Sequence, residues 1–254
     1  MEKLSASGRY SFTTRAITEA LGLSVLAARA ALRRLKAKGV VATPHRGFHV
    51  IVPPEYRWLG CLPPEQVSAL ALDHLGIPYY AGLLSAAEIH GAAHQRPQLF
   101  QVVVPRNRST LRCGKVRVQF VARRNVALMP TAAINTPRGP LRVSTREVTA
   151  IDVIGYARHC GGLGNVATVV AELAEELEPD ALVHVARMSP VPWGQRLGFL
   201  LDLAGYARLT GTLAQHVDRV AREYVPLRPG KPARVAERNP RWRLLVNEAV
   251  ELEA

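Results

Sequence analysis

Between Phe12 and Ile51 the apolar positions change period, helical on both sides of a glycine and then strand-like. Over Thr14–Leu21, the residues Ala16, Ile17, Ala20 and Leu21 fall at the spacing of one helical face. Gly22 follows where a chain leaving a helix needs a left-handed residue, and Leu23 is expected to tuck into the core. Ser24 is placed to cap a second helix, Val25 to Lys38, whose inner stripe is Val25, Ala28, Leu32 and Leu35. Gly39 ends that helix. Val40–Ala42 and Phe48–Ile51 are then β-prone runs around the turn-rich tip Thr43–Gly47. Residues 1–10 offer a short, weakly patterned helix ahead of this unit.

At about 100° per residue, Leu26, Ala27, Ala30, Arg33 and Arg34 point away from the packed stripe. Small residues near the start and arginines further along suit a helix that enters a major groove. Helix, turn, helix and hairpin together predict a winged helix-turn-helix over 1–54. A helical hairpin with a solvated basic face is the alternative reading of the same pattern. On the DNA-binding reading, Ser24, Leu26, Ala27 and Ala30 lie nearest the bases, and Arg29, Arg33 and Arg34 hold phosphates or bases. Thr14 and Arg15 open the first helix beside them, and His45 and Arg46 reach out from the wing tip.

The prolines at 53–54 and 63–64 bracket Glu55–Gly60 and place a boundary there, with a second domain over 63–254. Its pattern predicts helices over Pro64–Leu75 and Leu83–His90, strands over Leu99–Val104 and Lys115–Val121, and a loop over Pro105–Gly114. In the second strand Arg117 and Gln119 alternate with Val116, Val118 and Phe120, as in a sheet with one wet face. A short strand Leu141–Val143 leads into Ser144-Thr145-Arg146-Glu147, which has the form of a capping box, with Ser144 as cap and Glu147 reaching back. Helices are expected over Val148–Tyr156, Val166–Leu177, Pro179–Met188, Trp193–Ala204 and Leu209–Tyr224, and a last strand over Trp242–Val246. The fold class is therefore α+β: a winged helix-turn-helix followed by a larger mixed domain.

Charge narrows the function. The chain has 254 residues and a net charge of +13, and residues 1–60 hold ten Lys/Arg against Glu2, Glu19 and Glu55. No acid occurs between Glu88 and Glu147, where Arg96, Arg106, Arg108, Arg112, Lys115, Arg117, Arg123, Arg124, Arg138, Arg142 and Arg146 all fall. Such an excess favours polyanionic partners. Within this tract Arg106, Arg108, Arg112, Lys115, Arg117, Arg123 and Arg124 form a candidate second basic surface, for DNA, RNA or an acidic protein face. No apolar run is long enough to cross a bilayer and the first residues hold no apolar signal core, so a cytoplasmic protein without membrane contact is expected. Cys61, Cys113 and Cys160 are scattered and read as reduced thiols.

Two stretches add a resemblance. Tyr79 to Gly91, followed by Gln95-Arg96-Pro97 and Phe100–Val104, resembles the C-terminal domain of AbiE-type abortive-infection antitoxins. So do Val143–Asp152 with Gly161-Gly162 after it, and the closing Trp242-Arg243-Leu244 with Asn247. The resemblance implies a DNA-binding antitoxin of a type IV toxin–antitoxin pair. In that family the winged domain represses the pair's own promoter at inverted repeats. The C-terminal domain counters a nucleotidyltransferase-like toxin, and no catalytic residues come with the likeness.

Other chemistry finds little support. His90 and His94 stand four apart, but Gly91 interrupts the helix, the glutamate of H-E-x-x-H is missing and no third ligand is near, so a structural or capping role is expected. Gly161-Gly162-Leu163-Gly164 lacks the Lys-Ser/Thr of a phosphate loop and reads as a turn. Asp73, Asp152, Asp180, Asp202 and Asp218 are isolated, with no D-x-D. Neither metal, cofactor nor enzymatic activity is expected.

Overall fold

The computed structural model describes residues 8–92 and 98–251, and the fold is mixed α+β. Two compact units result: 1–81 with 98–127 and 133–143, and 82–97 with 128–132 and 144–254. The boundary expected between 54 and 63 falls inside the first unit. The expected helix over 1–10 and the positions His94 and Arg96 lie wholly or largely outside the described residues; Gly8–Tyr10 are not helical.

In the first unit, strand β1 (Ser11–Thr13) leads directly into α1 (Thr14–Leu21). Thr13 caps α1, its Oγ1 accepting from the Ala16 N–H, and Gly22 closes it at φ 61°. The expected cap Ser24 holds: its Oγ accepts from the Ala27 N–H at 3.2 Å and starts α2 (Val25–Ala37). A hairpin of β2 (Val41–His45) and β3 (Phe48–Ile51) follows, and the three strands form an antiparallel sheet in the order β1-β3-β2.

The small core here is Phe12, Leu32, Val41 and Ile51, with Tyr10, Ile17, Leu35 and Val40 against it. It sits under the C-terminal half of α2, and Val25 lies about 10 Å along the axis from Leu32. Two expectations fail for that reason. Val25 is 52% exposed instead of lining the stripe, and Leu23 is 37% exposed instead of tucked in.

The segment bracketed by prolines is not a free linker. Cys61 and Leu62 are fully buried, and α3 (Pro64–His74) behind them buries Gln66–Ala69, Ala71 and Leu72. Gly114 lies against the backbone of Leu59–Gly60, where an added Cβ would come within 2.1 Å of the Leu59 carbonyl. A six-stranded mixed sheet completes the unit, β4 (Tyr80–Ala81), β5 (Phe100–Val104), β6 (Leu111–Cys113), β7 (Val116–Ala122), β8 (Thr131–Thr136) and β9 (Gly139–Ser144), in the order β6-β7-β5-β4-β9-β8. Strand β6 occupies what the pattern gives as the loop over 105–114.

The second unit is helical. After α4 (Leu83–Ile89), helix α5 (Arg146–Gly155) is buried from Glu147 to Ile154 and is packed by α4 and by α6 (Leu163–Leu173), α7 (Pro179–Arg187) and α8 (Val191–Leu203). A helix buried on all sides belongs at the centre of a bundle. The expected capping box is shifted by one: Thr145 caps α5, while Ser144 bonds the Thr149 hydroxyl at 2.8 Å. Glu147 turns away from the helix start and accepts the Glu178 N–H.

Helix α9 (Gly211–Val220) and a small sheet of β10 (Val225–Pro226), β11 (Glu237–Asn239) and β12 (Leu244–Val246) close this unit. Trp242 anchors the sheet to α8. It is fully buried, its Nε1–H donates to Asp202 Oδ2 at 2.7 Å, and its ring lies over Gly198. Only glycine fits there, since an added Cβ would meet the ring at 2.1 Å. Trp242→Ala is expected to cost about 3–5 kcal/mol, and Gly198→Ala to destabilise through overpacking, both read by urea unfolding.

Candidate nucleic-acid interface

The first residue of α1, the outer side of α2 and the hairpin enclose an open cleft of about 570 Å³. Arg29, Arg33 and Lys36 enter it from α2 and Arg46 from the hairpin turn, with Thr14, Thr43 and His49 behind them. Among the described residues, no carboxylate lines it. Helical spacing explains the row: 29, 33 and 36 are separated by four and three residues, so their side chains stand on one face. Arg29, Arg33, Lys36 and Arg46 are all exposed.

The cleft has a rigid back wall. His49 is 6% exposed, its Nε2 within 2.8 Å of Thr14 Oγ1 and its Nδ1 within 3.0 Å of Thr43 Oγ1. The Thr14 N–H donates to the Gly47 carbonyl at 2.9 Å. One buried imidazole thus ties the start of α1 to both strands of the hairpin. Burial, and then the charge of Lys36, push the pKa of His49 below its ordinary value.

Of the residues expected to meet DNA, Arg29, Arg33 and Arg46 line the cleft; Leu26, Ala27, Arg34 and His45 are exposed outside it, with Ser24 at the exposed start of α2 and Ala30 half-buried. Leu26 is 80% exposed. Thr14 is held inward by His49, and Arg15 pairs with Glu19 at 2.7 Å on the solvent side. That exposed pair contributes little. Lys36, Thr43 and His49 are additions of the structure. The spacing from Arg33 to Lys36 is a usable signal; His49 is placed by the pairing of β3, which the sequence alone does not specify.

The second basic surface is smaller than its charge density implies. Arg123 is buried, its Nε donating to Asn125 Oδ1, and Arg117 bends back to the carbonyls of Gly114 and Val116. Outside that set, Arg138 is also consumed, donating to Gln66 and Glu55 at 3.0 Å each and covering the rings of Tyr10 and Tyr56. Arg106, Arg108, Arg112, Lys115 and Arg124 stay exposed. Arg108 and Arg112 line a cleft of about 160 Å³ together with Pro44 and His45, so the exposed part of the tract stands beside the hairpin tip.

His90 donates through Nε2 to the Ser144 carbonyl at 2.7 Å, a structural role. No group of three or more His, Cys, Asp or Glu able to hold a metal occurs among the described residues. The three cysteines are buried thiols, with Cys61 hydrogen-bonded to Cys113. No helix among the described residues is long and apolar enough to cross a membrane.

These elements define a mixed α+β protein with an open cationic face built on a helix–turn–helix and hairpin. Residues 80–203 match the AbiEi antitoxin C-terminal domain, so the chain carries an AbiEi-type antitoxin domain. The fold is shared with the RV2827C protein from Mycobacterium tuberculosis, known from its crystal structure, at a TM-score of 0.70 and 17% identity over 96% of this chain and 88% of that one. No curated protein matches the chain in sequence.

Burial depresses the pKa of His49, and likewise of His90 and His216. The unfolded chain therefore takes up protons first, and stability falls as pH drops through about 6.5, the ordinary histidine value. Thermal melts between neutral and mildly acidic pH are expected to show this loss. The slope is expected to be shallower in His49→Asn, which has nothing to titrate at the back of the cleft.

Proposed function

We propose that the chain is a DNA-binding transcriptional autorepressor and the antitoxin of a type IV abortive-infection pair, countering a nucleotidyltransferase-like toxin. One observation carries the DNA part: Arg29, Arg33, Lys36 and Arg46 converge on an open cleft that no carboxylate among the described residues lines. Four like charges held together repel one another, and a phosphate backbone relieves that repulsion while releasing counterions. Helix α2 enters the major groove, with Ala27 and Ala30 permitting close approach and the cations following on phosphates or bases. Ser24 and Leu26 flank the base-facing positions at the helix start, Arg34 stands on the same outer flank, and Thr14 and Arg15 lie at the start of α1. The hairpin acts as a wing, with His45 and Arg46 at the backbone or the adjacent minor groove.

Arg108 and Arg112 beside the wing tip lengthen the same footprint, which makes DNA the favoured partner of the exposed part of the second basic surface. Inverted repeats in the pair's own promoter are the proposed operator. The antitoxin part rests on the family match over 80–203. No catalysis and no cofactor are assigned to the chain, and its proposed place is the cytoplasm, with its operator and toxin. A winged-helix regulator without an antitoxin role is the competing reading, and it leaves the family match unexplained.

Gel-shift titration over a salt series tests the face. Arg33→Ala, Arg34→Ala is expected to weaken all duplexes and to lower the salt slope by about 0.9 for each phosphate no longer neutralised. Unchanged binding overturns the placement. Arg108→Ala, Arg112→Ala is expected to shorten the footprint on the wing side while sequence preference stays. Co-expression with the neighbouring toxin gene tests the antitoxin part: growth is expected to be rescued by the full chain and to fail in its absence.

A further inference from the structure

A second cationic concavity lies within the second unit. A cleft of about 810 Å³ is lined by Arg158, His159, Arg196, Arg228 and Lys231, with Tyr156 at its side and, among the described residues, no Asp or Glu in its wall. Arg196 stands in its wall in an unusual state. It is 9% exposed, and among the described residues its guanidinium meets no carboxylate; Nε and Nη2 both donate to the single carbonyl of Pro226, at 3.1 and 3.0 Å. Desolvation lowers its pKa, as burial of an uncompensated cation must.

The surrounding wall is built and not a loose fringe. Asn247 fastens the loop 228–232, its Oδ1 accepting the Arg228 N–H and its Nδ2 donating to the carbonyls of Arg228 and Lys231. Glu248 takes Arg228 Nη1 at 2.6 Å and Lys231 Nζ at 3.2 Å from outside the cleft, so one acid meets two cations. On the opposite side α6 begins at Gly162, whose position as N-cap supplies no side chain to the first-turn N–H groups. Those groups add a partial positive charge to the same space.

We infer that this cleft is a binding site for a small ligand bearing phosphate groups. Four permanent cations meet around it, one of them buried without an anionic partner, and a phosphate group supplies the missing charge with several acceptor oxygens. The volume accommodates more than one phosphate, and Tyr156 and Leu163 offer an apolar flank for whatever the phosphates are attached to.

The test uses the full chain without DNA, by calorimetric titration and thermal melting. The probes are inorganic phosphate, pyrophosphate, inorganic triphosphate and a nucleoside triphosphate. Pyrophosphate is expected to bind more tightly than phosphate and to raise the melting temperature with concentration. A nucleoside triphosphate binding more tightly than inorganic triphosphate identifies the source as a nucleotide, and equal binding identifies it as polyphosphate alone. Arg158→Gln, Lys231→Gln is expected to weaken binding by at least about tenfold with an unchanged melting temperature in the absence of probe. Arg196→Lys keeps a cation but removes the planar fork, and is expected to weaken binding as well. Arg29→Ala, Arg33→Ala is expected to leave the affinity unchanged while abolishing the gel shift. Failure of every probe to bind at millimolar concentration overturns the proposal. So does loss of binding in the α2 variant together with its survival in the cleft variant.

Discussion

With 33 Lys and Arg against 20 Asp and Glu, this chain cannot neutralise itself, and where it leaves its unpaired cations organises everything else. Desolvating a guanidinium without a partner is costly, so arginines that fold back against the protein take acceptors there. Arg243 takes the carboxylate of Asp218 and the carbonyl of Ala221, and its backbone stands at φ 48°. Arg241 and Trp242 share Asp202, and Arg146 takes Glu176. Glu176, Asp202, Asp218 and Glu248 of the second unit are each engaged by arginine in this way. In the first unit Glu55 goes to Arg138 and Glu19 to Arg15. Among the described residues nothing anionic lines the row on α2, and that gives the cleft its character.

What can be seen in the sequence follows the range of the interaction responsible. Helices α1 and α2, the Gly22 turn and the Ser24 cap depend on residues within a few positions of one another, and periodicity reveals them. Strands β1, β6, β8, β10 and β11 do not stand out. Each is short or rich in polar residues, as in Leu-Arg-Cys of β6 and Glu-Arg-Asn of β11, and is a strand because a neighbouring strand pairs with it, not because of its own apolar pattern. The shifted cap at Thr145 shows the same limit at a single position: Ser144 and Thr145 are equivalent as caps in sequence, and the buried bond from Ser144 to Thr149 decides between them.

The site is legible in part for a related reason. Composition counts cations without giving their direction. The tract from Arg96 to Arg146 is acid-free throughout, yet Arg117, Arg123 and Arg138 turn into the protein while Arg108 and Arg112 stay outside. On α2 the helix fixes the direction, so the outward side of Arg29, Arg33 and Arg34 follows from spacing alone. Lys36 extends that row by one further step. The cleft in the second unit combines residues from 156–163, Arg196 and 227–232, and no local pattern connects them.

Arg138 shows how the parts of the first unit are joined mechanically. It sits in the turn between β8 and β9, inside the segment that matches the antitoxin family, with its side chain 7% exposed. Its two terminal nitrogens are anchored on Gln66 of α3 and on Glu55, and its face covers Tyr10, just ahead of β1, and Tyr56. Its Nε is buried without a hydrogen bond, leaving the aromatic faces to offset part of the desolvation. Tyr10 in turn hydrogen-bonds through its carbonyl to Ile51 of β3, and β3 carries His49, the back wall of the cationic cleft. A chain of direct contacts therefore runs from the hairpin turn of the antitoxin-family sheet to the residues that shape the proposed DNA face. Within the first unit, Arg138 is thus the residue through which the β8–β9 turn, α3 and the segment leading into β1 meet.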